Sequence, residues 1–262
     1  MNTLKTLSSA GVLPAPPLPL PLKTCLFFEY KGEMQSSWTF LSRNVNNAYR
    51  MACLRSIAAG GGNSVIALLS GLPDVNLWED AWGGTVDMGQ LTLLETCARY
   101  ISSFGAAFWP CFFCDEDTNA PVRNASNAAH ERAFSLLIAH LRPYVPGFII
   151  GLESSEYFDC ARHNYFVELI RKFAPDRYVV SHMQKIPKGG MPAIDAWFYE
   201  HPWNPWTGDE HNPAEVVEEA RKAQAYGKFV WPVEYNVKAT GSIIREQSRA
   251  LLAAGFGCGG PV

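Results

Sequence analysis

No stretch of the 262-residue chain is apolar over a length that could cross a bilayer. Positive charge does not gather either. The formal net charge is −3 and the basic residues are interspersed with acids, so the basic stripe of a nucleic-acid binder is missing. The six histidines contain no His-x-His pair, which argues against a metal-dependent amidohydrolase. No Gly-x-Ser-x-Gly elbow is present, which disfavours a serine hydrolase. After the first apolar run the chain reads Glu29-Tyr30-Lys31-Gly32-Glu33, with a lone glycine where a dinucleotide-binding turn is glycine-rich. The seven cysteines cannot all pair within one chain, and most lie in apolar runs or helical patterns, where a free thiol packs as a small hydrophobe. Cys111-Phe112-Phe113-Cys114 has a C-x-x-C spacing, but no second pair completes a zinc site and the motif lies inside a strand-like run. Structural cysteines in a reducing compartment are the expectation.

What is present is a large apolar fraction, 48% against 18% charged, enough to bury a substantial core. Residues 1–23 stand apart. Pro14-Ala15-Pro16-Pro17-Leu18-Pro19-Leu20-Pro21 reads as an extended, polyproline-like arm or linker, and its prolines interrupt the apolar segment that a signal peptide needs. The expected location is the cytoplasm or a larger particle rather than classical secretion. The arm offers a surface for self-association or for contact with an assembly.

From residue 24 onward, short apolar runs alternate with amphipathic helical stretches. The runs are Thr24–Tyr30, Ser64–Ser70, Ala106–Cys114, Phe148–Glu153, Arg177–His182, Ala193–Tyr199 and Lys228–Val233, with Phe256-Gly257-Cys258 as an eighth. A helix is expected over Ser37–Ala59, closed by Gly60-Gly61-Gly62. Asp87 and Ser126 start two more, and Asn212-Pro213-Ala214-Glu215 combines an N-cap, a proline at the first helical position and a capping glutamate. Repeated strand-then-helix order with apolar strands implies a parallel sheet covered by helices. The count and length fit an α/β fold of the (β/α)₈ TIM-barrel kind, one domain over residues 24–262.

In such a barrel the C-terminal ends of the strands share one rim, where active sites lie. Two runs deliver carboxylates there: Phe148-Ile149-Ile150-Gly151-Leu152-Glu153-Ser154-Ser155-Glu156 and Phe229-Val230-Trp231-Pro232-Val233-Glu234-Tyr235. Paired carboxylates flanking a bond are the equipment of glycoside hydrolysis. The first run resembles the fourth strand of clan A glycoside hydrolases, which closes on Asn-Glu, and the second resembles that clan's seventh strand, closing on Glu-aromatic. Ile194-Asp195-Ala196-Trp197-Phe198-Tyr199-Glu200-His201-Pro202-Trp203 is similar to its sixth. The resemblance implies a retaining glycosidase without a cofactor, acting on an oligo- or polysaccharide, with Glu156 as acid/base and Glu234 as nucleophile. It also implies that Tyr199 or His201 touches the nucleophile or the sugar.

Glu153 is the alternative acid/base, or a neighbour that raises the pKa of Glu156 through like charge. Glu29, Ser155, His182, Trp203 and Trp231 complete the candidate sugar contacts. Ser155 departs from the pattern, because the clan has an asparagine there that bonds the sugar 2-hydroxyl. That departure keeps a second class open, a non-catalytic carbohydrate-binding or structural barrel within a larger assembly such as a phage tail. Asp115-Glu116-Asp117 reads as a solvated acidic loop before it reads as a cation site.

A proline-rich arm buries little surface and donates few backbone hydrogen bonds. Removing residues 1–22 is therefore expected to leave the melting temperature nearly unchanged. A fall of several degrees, or a changed oligomeric state by light scattering, would show that the arm packs on the domain or on a partner.

Overall fold

The computed structural model describes residues 23, 27–42, 44–60, 62–71, 77–80, 85–201, 211–235, 241–260 and 262. The proposed arm, residues 1–22, lies outside them, as does Trp203. In chain order the elements are β1 (Phe27–Tyr30), β2 (Glu33–Ser36), α1 (Asn47–Gly60), β3 (Ser64–Leu68), β4 (Trp78–Asp80), β5 (Thr85–Val86), α2 (Met88–Ser103), β6 (Ala107–Phe113) and α3 (Ala120–Arg123). There follow α4 (Asn127–Leu141), β7 (Gly147–Gly151), α5 (Cys160–Phe173), β8 (Tyr178–Met183), β9 (Ala196–Glu200), α6 (Pro213–Gln224), β10 (Phe229–Glu234) and α7 (Gly241–Ala253).

Helix starts are fixed by side chains that accept otherwise unbonded backbone N–H groups. Asp87 accepts from Gly89 and Gln90 at α2, Ser126 from Ala129 at α4, and Asp159 from Arg162 at α5. Asn212 and Glu215 close the full capping box of α6. The helix expected from Ser37 begins ten residues later, at Asn47. The segment before it forms the β1–β2 hairpin, whose turn places Lys31 at φ 55° and Gly32 at φ 81°, the pair of positive values that matches strand twist. Ser36 then caps a single 3₁₀ turn, and the Ser37 hydroxyl donates to the Ile66 carbonyl of β3.

The main sheet has six strands in the order β3-β6-β7-β8-β9-β10, every neighbouring pair parallel. Each new strand is added on the same side as the last. A doubly wound sheet reverses direction at a switch point, and this one does not. The two faces of the strands bury different things. Val65, Phe108, Phe148, Ile150 and Val179 pack into one cluster with the apolar stripes of α1, α2, α4 and α5. Ile66, Trp109, Ile149, Val180, Phe198 and Trp231 pack on one another, with no residue from a long helix among them.

The second cluster requires the sheet to roll up. Trp109 of β6 and Trp231 of β10 are four strands apart, about 19 Å in a flat sheet at roughly 4.8 Å per strand. Their ring centroids are 5.9 Å apart, and Phe198 lies 5.3 Å from both. The strands therefore curve around an aromatic interior, and their C-terminal ends converge.

Close approach is demanded at Gly147, the first residue of β7. A Cβ there would meet the Tyr178 carbonyl oxygen at 2.4 Å and the Trp109 ring at 2.8 Å. Gly147→Ala is expected to cost about 1–3 kcal/mol, read as a lower denaturant midpoint at unchanged slope. A variant as stable as the parent would contradict this packing.

Candidate active site

The chain leaves β7 through Leu152 and then turns sharply at Glu153, whose φ of 46° and ψ of 35° are left-handed. For a residue with a Cβ that conformation costs roughly 1–2 kcal/mol. It is held by bonds on both sides: Leu152 N–H to the Phe113 carbonyl at 2.9 Å, and the Tyr157 hydroxyl to the Leu152 carbonyl at 2.6 Å. The next residue, Ser154, is fully buried, its Oγ 2.6 Å from Ser181 Oγ, 2.9 Å from the His182 carbonyl and 3.0 Å from His163 Nε2. The turn is thus fastened to β6, β8 and α5 at once, which fixes where the Glu153 carboxyl can go.

His182 near the end of β8 sits between the Glu153 backbone and the Glu234 carboxylate. The Glu153 backbone N–H donates to its Nδ1 at 3.1 Å, so the ring carries its proton on Nε2. That nitrogen faces Glu234 Oε2 of β10 at 3.4 Å without forming a hydrogen bond to it. The Trp38 ring meets the imidazole edge-on, centroids 5.4 Å apart. Beside Glu234, in register on β9, is Glu200, whose Oε1 accepts from Gln184 Nε2 at 3.4 Å.

Burial sets the charge states. Glu153 is pushed from the ordinary 4.5 up to about 8, first by desolvation and then by the negative charges of Asp115, Glu234, Glu156 and Glu116. Glu200 is raised to about 9 by burial and then by Glu234, Glu153, Glu156 and Asp115. Ser155 Oγ, His182 Nε2, Glu200 Oε2 and Glu234 Oε2 are all buried without a hydrogen-bond partner. Orphaned buried groups are rare in folded proteins, and four at one end of a sheet describe a site built to be completed by a polar ligand. Chemically, the rim offers a carboxyl at Glu153 whose pKa is raised to about 8 and a second carboxyl at Glu234 that faces the His182 imidazole. Among the described residues no group of His, Cys, Asp and Glu side chains could hold a metal ion.

Glu153, Ser155, His182 and Glu234 are brought to this rim. Glu156 is on the same turn but exposed. Tyr199 and His201 face the other way. Tyr199 belongs to the helix-side core, and both ring nitrogens of His201 face backbone carbonyls, Val216 at 2.9 Å and Glu234 at 3.3 Å. Burial holds that imidazole down at about 4. Trp231 is part of the aromatic interior, and Glu29 is exposed on the β1–β2 hairpin. Glu200, Gln184 and Trp38 were not among the expected residues. A signal for Glu200 was available, because strand alternation puts it on the face of Phe198 and puts Tyr199 and His201 on the opposite one.

No protein-family model matches the chain, and no curated protein matches it in sequence. Solved structures do match in fold. An exo-beta-1,4-mannosidase from Opitutaceae bacterium strain TAV5 superposes at a TM-score of 0.56 with 16% identity over 78% of this chain, which spans 46% of that protein. A glycoside hydrolase family 5 enzyme from Prevotella bryantii B14 gives 0.62 with 11% identity, over 90% of this chain and 86% of the other. An endoglucanase from Pseudomonas stutzeri gives 0.58 with 13% identity, over 78% and 74%. The chain has the fold of clan A-like glycoside hydrolases, at identities that speak for the fold alone.

Proposed function

We propose that this chain is a (β/α)₈ glycoside hydrolase that retains anomeric configuration, with Glu234 as nucleophile and Glu153 as acid/base. The observation that carries the reading is the placement of Glu153 and Glu234 at one end of a singly wound parallel sheet, where the Glu153 backbone N–H and the Glu234 carboxylate meet opposite nitrogens of His182 and the Glu234 charge helps raise the Glu153 pKa. Closure to eight staves is supported at both ends of that sheet. Lys23 forms a parallel bridge with Cys258 and accepts from the Asn63 backbone N–H, while Phe27 N–H donates to the Gly259 carbonyl. Lys23 with Phe27–Tyr30, and residues 256–260, thus fit the first and eighth positions.

Sequence resemblance alone favours Glu156 as the acid. Burial favours Glu153, because a general acid must keep its proton at working pH and desolvation raises the Glu153 pKa to about 8. In the first step Glu153 protonates the departing oxygen while Glu234 attacks the anomeric carbon; in the second, Glu153 takes a proton from the water that releases the sugar. Because the fold-mates include a beta-1,4-mannosidase, an endoglucanase and a xyloglucanase, the substrates to screen are beta-1,4-linked mannan, glucan and xyloglucan. A carbohydrate-binding barrel without turnover is the second reading, favoured because no asparagine precedes either glutamate: Leu152 stands before Glu153 and Ser155 before Glu156.

With an active substrate in hand, Glu234→Gln is expected to lower kcat at least about 1,000-fold without unfolding the protein. Glu153→Ala should lose roughly 100- to 10,000-fold on a natural oligosaccharide and far less in the first step with an activated aryl glycoside. Added azide should restore its turnover, since a small anion needs no base. Rescue of Glu156→Ala instead moves the role to that residue, and sugar binding without hydrolysis of any substrate establishes the second reading.

The raised pKa of Glu153 also has a sign. The folded chain holds this proton up to about pH 8, whereas the unfolded chain releases it near the ordinary 4.5. The stability this provides is complete below the ordinary value and is lost as pH rises through about 8. Melting curves of Glu153→Gln should therefore gain on the wild type progressively across that interval, and parallel curves would refute the burial argument. In the wild type kcat/KM should fall over the same alkaline limb as the acid loses its proton.

A further inference from the structure

The mechanism above leaves one buried carboxyl unused. Glu200 is 4% exposed, lies side by side with Glu234 in the β9–β10 register, and shares its face of the sheet. Its Oε1 is occupied by Gln184, but Oε2 has no partner, and neither does the facing-strand Oε2 of Glu234. The charged groups acting most strongly on it are all acidic: Glu234 on β10, Glu153 and Glu156 after β7, and Asp115 after β6. The groups presented by β8 and the residues after it, His182 and Gln184, are neutral donors in this arrangement.

Among the described residues no cation lies between these two neighbouring carboxyls, and such a pair does not ionise twice, because each charge penalises the other in a poorly solvated site. The geometry points to Glu200 and Glu234 as a proton-sharing pair that carries one negative charge, with Glu200 the hydrogen-bond donor. Glu200 is then a positioning residue. Its Oε2–H fixes the Glu234 carboxylate and keeps the charge on the oxygen that attacks, while Gln184 holds the other oxygen of Glu200. The positioning role rests on the glycosidase reading; the shared charge does not.

That separation decides the test. Protonated carboxyl groups show a distinct C=O stretch, so an infrared pH titration reads the pair without any substrate. The titration is run in Glu153→Gln, which removes the other carboxyl with a strongly raised pKa. A protonated-carboxyl band is expected to persist well above the usual glutamate range and to vanish when Glu200→Gln is added. Adding Glu234→Gln instead should let Glu200 ionise at least about one pH unit lower, because the like charge is gone. A band that survives Glu200→Gln, or a titration that Glu234→Gln leaves unmoved, overturns the proposal. In the active enzyme, Glu200→Leu should lower kcat roughly 10- to 150-fold, the loss of one hydrogen bond to a charged group. Glu200→Gln, which keeps a neutral donor, should recover most of that loss with little change in KM. Equal damage from both variants would show that Glu200 works as a carboxylate and refute the donor role. Absence of any glycosidase activity would remove the positioning role and leave the titration to decide the shared charge.

Discussion

The packing of Trp109 against Phe198 and Trp231 is the constraint on which the rest of the molecule depends. A parallel sheet with one face on helices still has a second face to bury, and here no helix covers it. Three large aromatic rings from three strands solve this by meeting each other, which forces the strands to roll. Burying such rings is worth far more than any single hydrogen bond at the rim. The curvature then has a chemical consequence. Glu153 and Glu234 follow or end strands three places apart in the sheet order, yet the Glu153 backbone N–H and the Glu234 carboxylate meet opposite nitrogens of one imidazole.

The rim is costly in the same measure as the interior is favourable. Besides burial, Asp115, Glu156 and Glu234 act there on both Glu153 and Glu200, with Glu116 acting on Glu153 as well, and these two retain protons that glutamates ordinarily lose. Strain adds to the charge, since Glu153 has a backbone conformation that residues with a Cβ avoid. Neither cost helps the chain fold. Both are held in place by bonds from β6, β8 and α5 that converge on residues 152–154. The unpartnered Ser155 Oγ and His182 Nε2 mark where a polar ligand would restore what folding leaves unmade.

The sequence revealed the architecture more readily than the site, for a physical reason. Buried parallel strands must be apolar, so the runs around Ile66, Trp109, Ile149, Val180, Phe198 and Val230 could be read directly, as could the caps Asp87, Ser126 and Asn212. The first helix was placed too early because Ser37 looks like a helix start, while the Lys31-Gly32 turn, which makes the hairpin, carries only a weak local signal. Which residues reach the rim depends on the face each strand end presents. A one-residue difference at the end of β9 separates Glu200, which faces Glu234, from Tyr199 and His201, which face the helices.

A difference of three residues governs the choice between Glu153 and Glu156. Both follow β7, and motif spacing favours the later one. Depth separates them: a carboxyl at the left-handed turn is drawn toward the interior, while the 3₁₀ turn that follows points the next glutamate at solvent. A general acid needs the interior position, because only desolvation and neighbouring negative charge can hold a proton that a solvated glutamate gives up. The backbone strain at Glu153 is thus tied to its protonation. A relaxed turn would return the carboxyl to water and with it the ordinary, ionised state.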